Sequence, residues 1–296
     1  MLWAKSSNKV IMEETGMDGK LVKELVKFGA VYTGPPQDAM DKKQSPVKAV
    51  RTMQDVELLP GSYVRVHAQP KRCLSVYKID WSARVIRESQ DFIVIDKPPG
   101  VPSLTTIDNG VECVMSQVEK MRNISLMPTS RLDVCTAGVL IFAKTRDFCL
   151  KTNKAMSERR CDKVYLLLSE RELPRGEDLR SRQDLQEEGW QDAVLEILDC
   201  RCLLTFLQPF DLKQQGGRRK VFEYSVRLIT GRTHQIRLQF AALGAPVLGD
   251  TRYTPAAGLL FQSVDDAIGD GSRVFGPDPD VIFLQARREG AGRGRS

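Results

Sequence analysis

The sequence runs Arg131-Leu132-Asp133-Val134-Cys135-Thr136-Ala137-Gly138 directly before an apolar stretch at 139–143. An apolar stretch of this length is typical of a buried strand, so the lone carboxylate of Asp133 is predicted in a polar turn beside it. A carboxylate placed there is desolvated on one side and open to a substrate on the other, as catalysis requires. Cys135 lies nearby, but no histidine in the motif would activate it, so we favour Asp133 as the reactive group.

The length of the chain is enough for one sizeable catalytic domain and a small accessory one. The chain has 296 residues, 42% of them hydrophobic, and a formal net charge of +6. This mild excess fits a partner that carries phosphates, although many metabolic enzymes share it. The seven cysteines form no Cys-x-x-Cys pair, so no metal site is expected, and no apolar run is long enough to predict a membrane span.

The first 75 residues predict a small α/β module. An amphipathic helix is expected at 19–29, with Leu21, Leu25 and Phe28 on one face, and strands are expected at 30–33, 55–59 and 62–67. A second face of that helix carries Lys20, Lys23 and Lys27. Periodicity alone leaves two interpretations open for these lysines, a solvated helix face or a basic surface that binds a partner.

The main body, from about residue 85, predicts few βαβ repeats. Helices are expected at 111–121, 148–157 and 232–243, and strands at 92–95, 139–143, 163–168, 190–199, 201–207 and 222–228. We therefore predict the α+β class, with a mixed, largely antiparallel central sheet and flanking helices. A charged insertion at 175–189 has no predicted element.

Three further side chains have an alternative structural interpretation. Arg232 is predicted in the first turn of the 232–243 helix, where it either holds Asp133 ionised or only pairs at the surface. Tyr165 lies in an aliphatic strand and either fills the core or stacks on a base. We expect His234 to be a structural helix residue bonded to backbone, because no carboxylate is near it in sequence.

Taken together and in order, four motifs resemble the RluA-type RNA pseudouridine synthases over roughly residues 85–285, most closely the plant organelle-type members. The N-terminal module resembles a diverged alpha-L RNA-binding domain. The motifs are Arg131-Leu132-Asp133-x-x-Thr136-x-Gly138, Lys163-x-Tyr165, Thr230-Gly231-Arg232-Thr233-His234-Gln235-Ile236-Arg237, and Gly244-x-Pro246-Val247-Leu248-Gly249-Asp250-x-x-Tyr253.

The resemblance implies an isomerase that converts a uridine of ribosomal or transfer RNA to pseudouridine after base flipping, without cofactor or metal, as a monomer. It implies a module at 1–75 and a catalytic domain at 76–288, and the glycine- and arginine-rich composition of 289–296 predicts a disordered tail. Asp133, Tyr165 and Arg232 match the catalytic residues, and sequence does not decide whether Asp133 attacks the sugar or removes a ribose proton. The residues expected to bind RNA are Arg131, Lys97, Lys163, Arg237, Lys20, Lys23 and Lys27.

The chain departs from the family pattern at Ser130 and Ala137, where many members have His and Ser. It also stops soon after residue 286, which predicts an incomplete sheet edge. The alternative function is a non-catalytic RNA-binding or ribosome-assembly factor that keeps the fold, and a weaker one is a small-molecule hydrolase. The expected location is intracellular, in the cytoplasm by default, with chloroplast or mitochondrion as alternatives.

Overall fold

A computed structural model describes residues 4–36, 49–173, 178–184, 190–205, 219–258 and 277–291. The chain forms two compact units, one of residues 1–79 and 104–123 and the other of residues 80–103 and 124–296. The segment 104–123 therefore packs with the N-terminal residues. It is held there by the Gly110 N–H, which donates to the Phe28 carbonyl at 3.0 Å, and by Arg72, which donates to Glu112 at 2.6 Å.

In its described residues, 4–36, 49–79 and 104–123, the first unit combines three α-helices with two small sheets. Strand β2 pairs antiparallel with β3 and β5, and β1 pairs antiparallel with β4. The elements are β1 Lys5–Ser6, α1 Ser7–Thr15, α2 Gly19–Phe28, β2 Val31–Pro36, β3 Val50–Thr52, β4 Glu57–Leu58, β5 Ser62–Val66, a 3-10 turn at Leu74–Lys78, and α3 Val114–Arg122.

Helix α2 confirms the helix predicted at 19–29. Asp18 caps its start by accepting from the N–H groups of Lys20 and Leu21, and Gly29 ends it with a φ of +74°. The predicted buried face was wrong in part, because Leu21 is 41% exposed. The side chains that α2 buries are Val22, Leu25 and Val26, and the three lysines at 20, 23 and 27 are exposed.

The second unit is built on one nine-stranded sheet. The strand order is β11-β12-β13-β10-β14-β9-β7-β6, and β8 pairs with β9. The elements are β6 Val85–Glu88, β7 Phe92–Lys97, β8 Met127–Pro128, β9 Ala137–Ala143, α4 Arg146–Ser157, β10 Cys161–Ser169, β11 Asp178–Asp184, β12 Trp190–Thr205, β13 Arg219–Leu228, α5 Gln235–Ala242, a 3-10 turn at Thr254–Ala256, and β14 Leu284–Ala291.

The predicted fold class is confirmed, because every pairing in this sheet is antiparallel except that of β14 with β9. Two details differ. The strands predicted at 190–199 and 201–207 are one strand, β12, with a register shift between Ile197 and Asp199. The insertion that had no predicted element contains β11, which pairs with β12.

The C-terminal strand corrects the predicted incomplete sheet. Strand β14 lies between β10 and β9, so it joins the two halves of the sheet instead of leaving an edge open. It continues to Ala291, into the tail predicted at 289–296, and residues 292–296 lie outside the described residues. The prediction was wrong because it treated the last apolar residues as the end of the fold.

The main core of the second unit lies between β10, β12, β13 and α5. Its largest fully buried apolar side chains include Tyr224, Phe240, Leu195 and Ile197. Cys135, close to Asp133, belongs to the same cluster. Across the described part of the chain, no helix has both the length and the apolar character needed to cross a bilayer.

Candidate active site

Asp133 lies in the loop that leads into β9, and Lys97 at the end of β7 fixes that loop. The Lys97 side chain is 0% exposed, and its Nζ donates to the carbonyls of Pro98 at 3.0 Å, Val134 at 3.1 Å and Thr136 at 2.7 Å. An ammonium has three N–H donors, so these three carbonyls satisfy them all. Two of the carbonyls, those of Val134 and Thr136, lie one and three residues after Asp133, so a buried cation holds the loop directly after that carboxylate.

Further hydrogen bonds hold the same loop, two between backbone groups and two to the hydroxyl of Ser103. The Gly100 N–H donates to the Val134 carbonyl at 2.7 Å, and the Thr136 N–H donates to the Asp133 carbonyl at 3.1 Å. Ser103 Oγ accepts from the Leu132 N–H at 3.0 Å and donates to the Leu132 carbonyl at 2.8 Å. A loop with this many bonds holds a carboxylate in one orientation.

Gly138 allows the sheet to close directly after this loop. Its φ is +110°, and a Cβ at this position would lie 2.1 Å from the carbonyl oxygen of Ala286. Ala286 is its partner in the parallel pairing of β9 with β14. Only glycine fits here, because any side chain would separate the two strands beside the Asp133 loop.

A buried arginine of α5, Arg237, lies beside the carboxylate. Its Nη1 lies 3.8 Å from Asp133 Oδ2, while its Nε and Nη2 donate to Asp250 at 2.7 and 2.9 Å. Arg237 is 1% exposed and Asp250 also 1%. Burial alone would lower the pKa of Arg237, but the bonds to Asp250 outweigh it and raise that pKa above its ordinary value. The guanidinium therefore stays charged and presents its free edge to Asp133.

His234 approaches the other oxygen of the carboxylate. Its Nε2 lies 3.7 Å from Asp133 Oδ1, and its Nδ1 lies 2.7 Å from Tyr253 Oη. Burial lowers the pKa of His234, although Asp133 opposes this, so the ring is neutral at neutral pH. The expectation that His234 bonds only backbone was wrong, because its side chain contacts two side chains that are distant in sequence.

The tautomer of His234 follows from the state of Tyr253. Burial raises the pKa of Tyr253, so it is a phenol with one proton at neutral pH. When the phenol donates that proton to His234 Nδ1, the neutral ring carries its N–H at Nε2, facing Asp133. The Arg237 guanidinium also lies 4.9 Å from the centroid of the Tyr253 ring. One carboxylate is thus flanked by the guanidinium of Arg237 and by the imidazole of His234.

A family model matches the part of the chain that contains Asp133, His234 and Arg237. Residues 91–242 match the model of the family described as RNA pseudouridylate synthase. The chain belongs to that family.

Three curated family members are among its relatives. The proteins named RNA pseudouridine synthase 6, chloroplastic, are 28% identical in Arabidopsis thaliana, over 84% of this chain and 63% of that protein, and 30% identical in Oryza sativa subsp. japonica, over 80% of this chain and 60% of that protein. The tRNA pseudouridine(31) synthase of Saccharomyces cerevisiae is 26% identical over 57% of this chain and 46% of its own length. The resemblance to plant organelle-type members is confirmed, and the chain spans less than two thirds of their length.

The motif at 230–237 contains two arginines. The prediction placed Arg232 beside Asp133, and the structure places Arg237 there. Helix α5 begins at Gln235 and not at 232, because the Gln235 side-chain oxygen accepts from the Arg232 N–H at 3.0 Å and from Thr230 Oγ1 at 2.8 Å. His234 before it has a φ of +55°. The guanidinium beside Asp133 at 3.8 Å is that of Arg237, whereas Arg232 lines a separate pocket with Lys163.

Two predicted RNA contacts of this synthase family member are corrected by burial. Lys97 is 0% and Arg237 1% exposed, so neither side chain reaches the surface where a phosphate would lie. Both support the Asp133 loop instead. Arg131 and the three α2 lysines, Lys20, Lys23 and Lys27, are exposed, and Lys163 is half-buried.

Tyr165 lies on the strand next to β14. It pairs with Ala286, which in turn pairs with Gly138, so the three residues form one line across the sheet and share a face. Its half-buried ring packs against the core cluster that contains Cys135 and Ile236. Those two residues are neighbours in sequence of Asp133 and Arg237, which brings Tyr165 to the same region of the unit.

Potential metal ligands do not cluster in the described part of the chain. In the residues for which coordinates are described, no group of three or more His, Cys, Asp or Glu side chains is placed to hold a metal ion. Cys135 is 3% exposed, and burial raises the pKa of its thiol. A buried thiol with a raised pKa is a poor nucleophile at neutral pH.

Proposed function

We propose that the chain is an isomerase that converts a uridine in RNA to pseudouridine, with Asp133 as the catalytic residue. The observation that carries this proposal is the placement of Asp133, whose two oxygens lie 3.8 Å from the Arg237 guanidinium and 3.7 Å from His234 Nε2. It lies inside the matched family region, 91–242. The chloroplastic relatives carry the same activity in their names.

The chemistry needs an ionised carboxylate. The bond between the sugar anomeric carbon and N1 of uracil breaks, a bond to C5 forms, the proton on C5 is released and N1 gains one. Asp133 either attacks the anomeric carbon or removes the neighbouring ribose proton, and both steps require its charged form. Arg237 and the Nε2–H of His234 favour that form, including after the substrate has excluded water.

In this proposal Arg237 takes the role predicted for Arg232. Its charge is assured by Asp250, with which it forms two hydrogen bonds in a buried setting. Tyr165 provides the ring on which the extruded uracil stacks, in keeping with its position in line with Gly138. Arg131, exposed two residues before Asp133, occupies the space that the extruded nucleotide leaves in the RNA.

The N-terminal unit contributes affinity for RNA phosphates in this proposal. Helix α2 exposes Lys20, Lys23 and Lys27, and lysines on one surface bind a phosphate backbone without reading sequence. The RNA substrate is ribosomal or transfer RNA, recognised through structured loops. The chloroplast is the proposed location, because the two plant relatives carry that location in their names.

Release of tritium from RNA labelled at uracil C5 tests the proposal. Transcripts of ribosomal and transfer RNAs are incubated with the wild type, with Asp133→Asn and with Asp147→Asn. Asp147 is the matched control, because its side chain is 74% exposed in a surface pair with Lys151. We expect release from the wild type and Asp147→Asn and none from Asp133→Asn. Absence of release from every transcript would favour the non-catalytic RNA-binding factor.

A further inference from the structure

A second group of basic side chains lines a pocket of about 220 Å³ in the second unit. Three of the lining residues are cationic, Arg159, Lys163 and Arg232, and none is acidic. The others are Met156, Ser157, Cys161, Leu228, Ile229, Thr230 and Gly231. The pocket is small, open to solvent and positively charged, which suits an anion.

Three separate elements bring these cations together. Arg159 follows α4 with a φ of +56°, and its N–H donates to the Met156 carbonyl at 3.1 Å. Lys163 extends from β10, and Arg232 belongs to the segment between β13 and α5. The Lys163 Nζ lies 3.6 Å from the point where a Cβ of Gly231 would be. The ammonium therefore lies over bare backbone, where a ligand oxygen can approach it closely.

The charge of Arg159 is available to a ligand. The next residue, Arg160, donates from Nε to the carboxylate of Glu158 at 2.6 Å. Among the side chains that the structure describes, Arg159 has no such carboxylate partner. A left-handed φ at a non-glycine residue is uncommon, and here it directs consecutive arginines to different surroundings.

The pocket is linked to the catalytic carboxylate through His234, which follows one of the lining residues closely in sequence. Arg232 precedes His234 by two residues, and His234 Nε2 lies 3.7 Å from Asp133 Oδ1. Two residues of extended chain span at most about 7 Å. An RNA strand with a nucleotide at Asp133 carries a phosphate on either side of that nucleotide.

We propose that this Arg159–Lys163–Arg232 pocket holds a backbone phosphate of the RNA next to the target uridine. The inference rests on the proposed function and adds to it a binding site for the flanking strand. Guanidinium and ammonium groups bind phosphate oxygens by charge-assisted hydrogen bonds. Such contacts set the register of a nucleic acid without reading its bases. The pocket would thus position the strand while Asp133 acts on the extruded nucleotide.

The salt dependence of RNA binding tests this site. Binding of a fluorescent hairpin transcript with loop uridines is measured by anisotropy across salt concentrations, all in an Asp133→Asn background. The test variant is Arg159→Gln with Lys163→Gln. The control is Lys151→Gln with Arg160→Gln, which removes two positive charges that pair with Asp147 and Glu158. Thermal unfolding of each variant checks that the fold is retained.

Loss of one phosphate contact should reduce the slope of log affinity against log salt by about 0.7 to 0.9. We expect that reduction in the test variant, together with weaker binding, and an unchanged slope in the control. Equal changes of the slope in both variants, or no change in either, would overturn the proposal that this pocket binds a phosphate. The tritium assay is independent: release with an unchanged slope refutes only the pocket, and a reduced slope without any release refutes only the isomerase.

Discussion

The buried pair of Arg237 and Asp250 gives the sharpest prediction of the cost of a substitution. The side chain of Arg237 is 1% exposed and that of Asp250 0%, and two hydrogen bonds of 2.7 and 2.9 Å join them. Replacing Arg237 with Met leaves a buried carboxylate without its cation. Breaking a buried pair in this way lowers the free energy of unfolding by about 3–5 kcal/mol. This is a large part of the total for a typical domain, about 5–15 kcal/mol.

A double variant separates stability from catalysis. Asp250 Oδ1 also accepts from the N–H groups of Arg252 at 3.2 Å and Tyr253 at 3.3 Å, and asparagine keeps that acceptor. Arg237→Met with Asp250→Asn removes both charges, so we expect it to unfold at higher urea concentration than Arg237→Met alone. Activity should stay lost in both, because neither presents a guanidinium to Asp133.

Urea unfolding followed by circular dichroism gives the stabilities, and tritium release gives the activities. The control is Arg201→Met, which breaks an exposed pair with Asp199, 71% and 36% exposed, and should cost less than about 1 kcal/mol. Two results would refute the reasoning. One is a loss in Arg237→Met no larger than in the control, and the other is a double variant with wild-type activity.

Three other variants test the supports of the site. Gly138→Ala should destabilise the fold by more than about 3 kcal/mol, because its Cβ would lie 2.1 Å from the Ala286 oxygen, whereas Gly258→Ala, with a φ of +80° and no atom within 4 Å, should cost only about 1–2 kcal/mol, as thermal unfolding would show. Lys97→Met removes the ammonium that donates to the carbonyls of Pro98, Val134 and Thr136, and we expect its tritium release to fall by at least about 100-fold because the Asp133 loop loses its anchor. The pKa of His234 is lowered from 6.5, so below that pH the unfolded chain binds a proton that the folded chain does not; stability should decrease as the pH falls through this range, and His234→Gln should remove that slope in urea titrations.

Much of the fold could be predicted because its elements carry local signals. The apolar run after Asp133 is β9, the lysine-rich stretch is α2, and the strictly alternating stretch at 222–228 lies within β13. β14 was missed, because its place between β10 and β9 depends on pairings with residues far away in the chain. Periodicity reports what a segment forms and not which strands it joins.

The site shows the same limit at the level of side chains. Asp133 is evident from its motif, but the motif at 230–237 has two arginines and only the folded chain shows that Arg237 lies beside Asp133. The reason is that Gln235 bonds back to the segment before it and delays the start of α5. The sequence predicts Lys97, before a Pro-Pro-Gly turn, as a residue that contacts RNA. Its buried position could not be predicted, because the three carbonyls that accept from its Nζ come together only in the folded loop.

The most direct test is the nucleoside composition of RNA after a single turnover. The transcript is one from which the tritium assay detects release, and the enzyme is present in excess over it. Samples are taken over time, the RNA is digested, and uridine and pseudouridine are separated by chromatography. We predict that the wild type converts a uridine and that Asp133→Asn is slower by at least about 100-fold. Conversion by Asp133→Asn at the wild-type rate would show that the carboxylate between Arg237 and His234 is not the catalytic group.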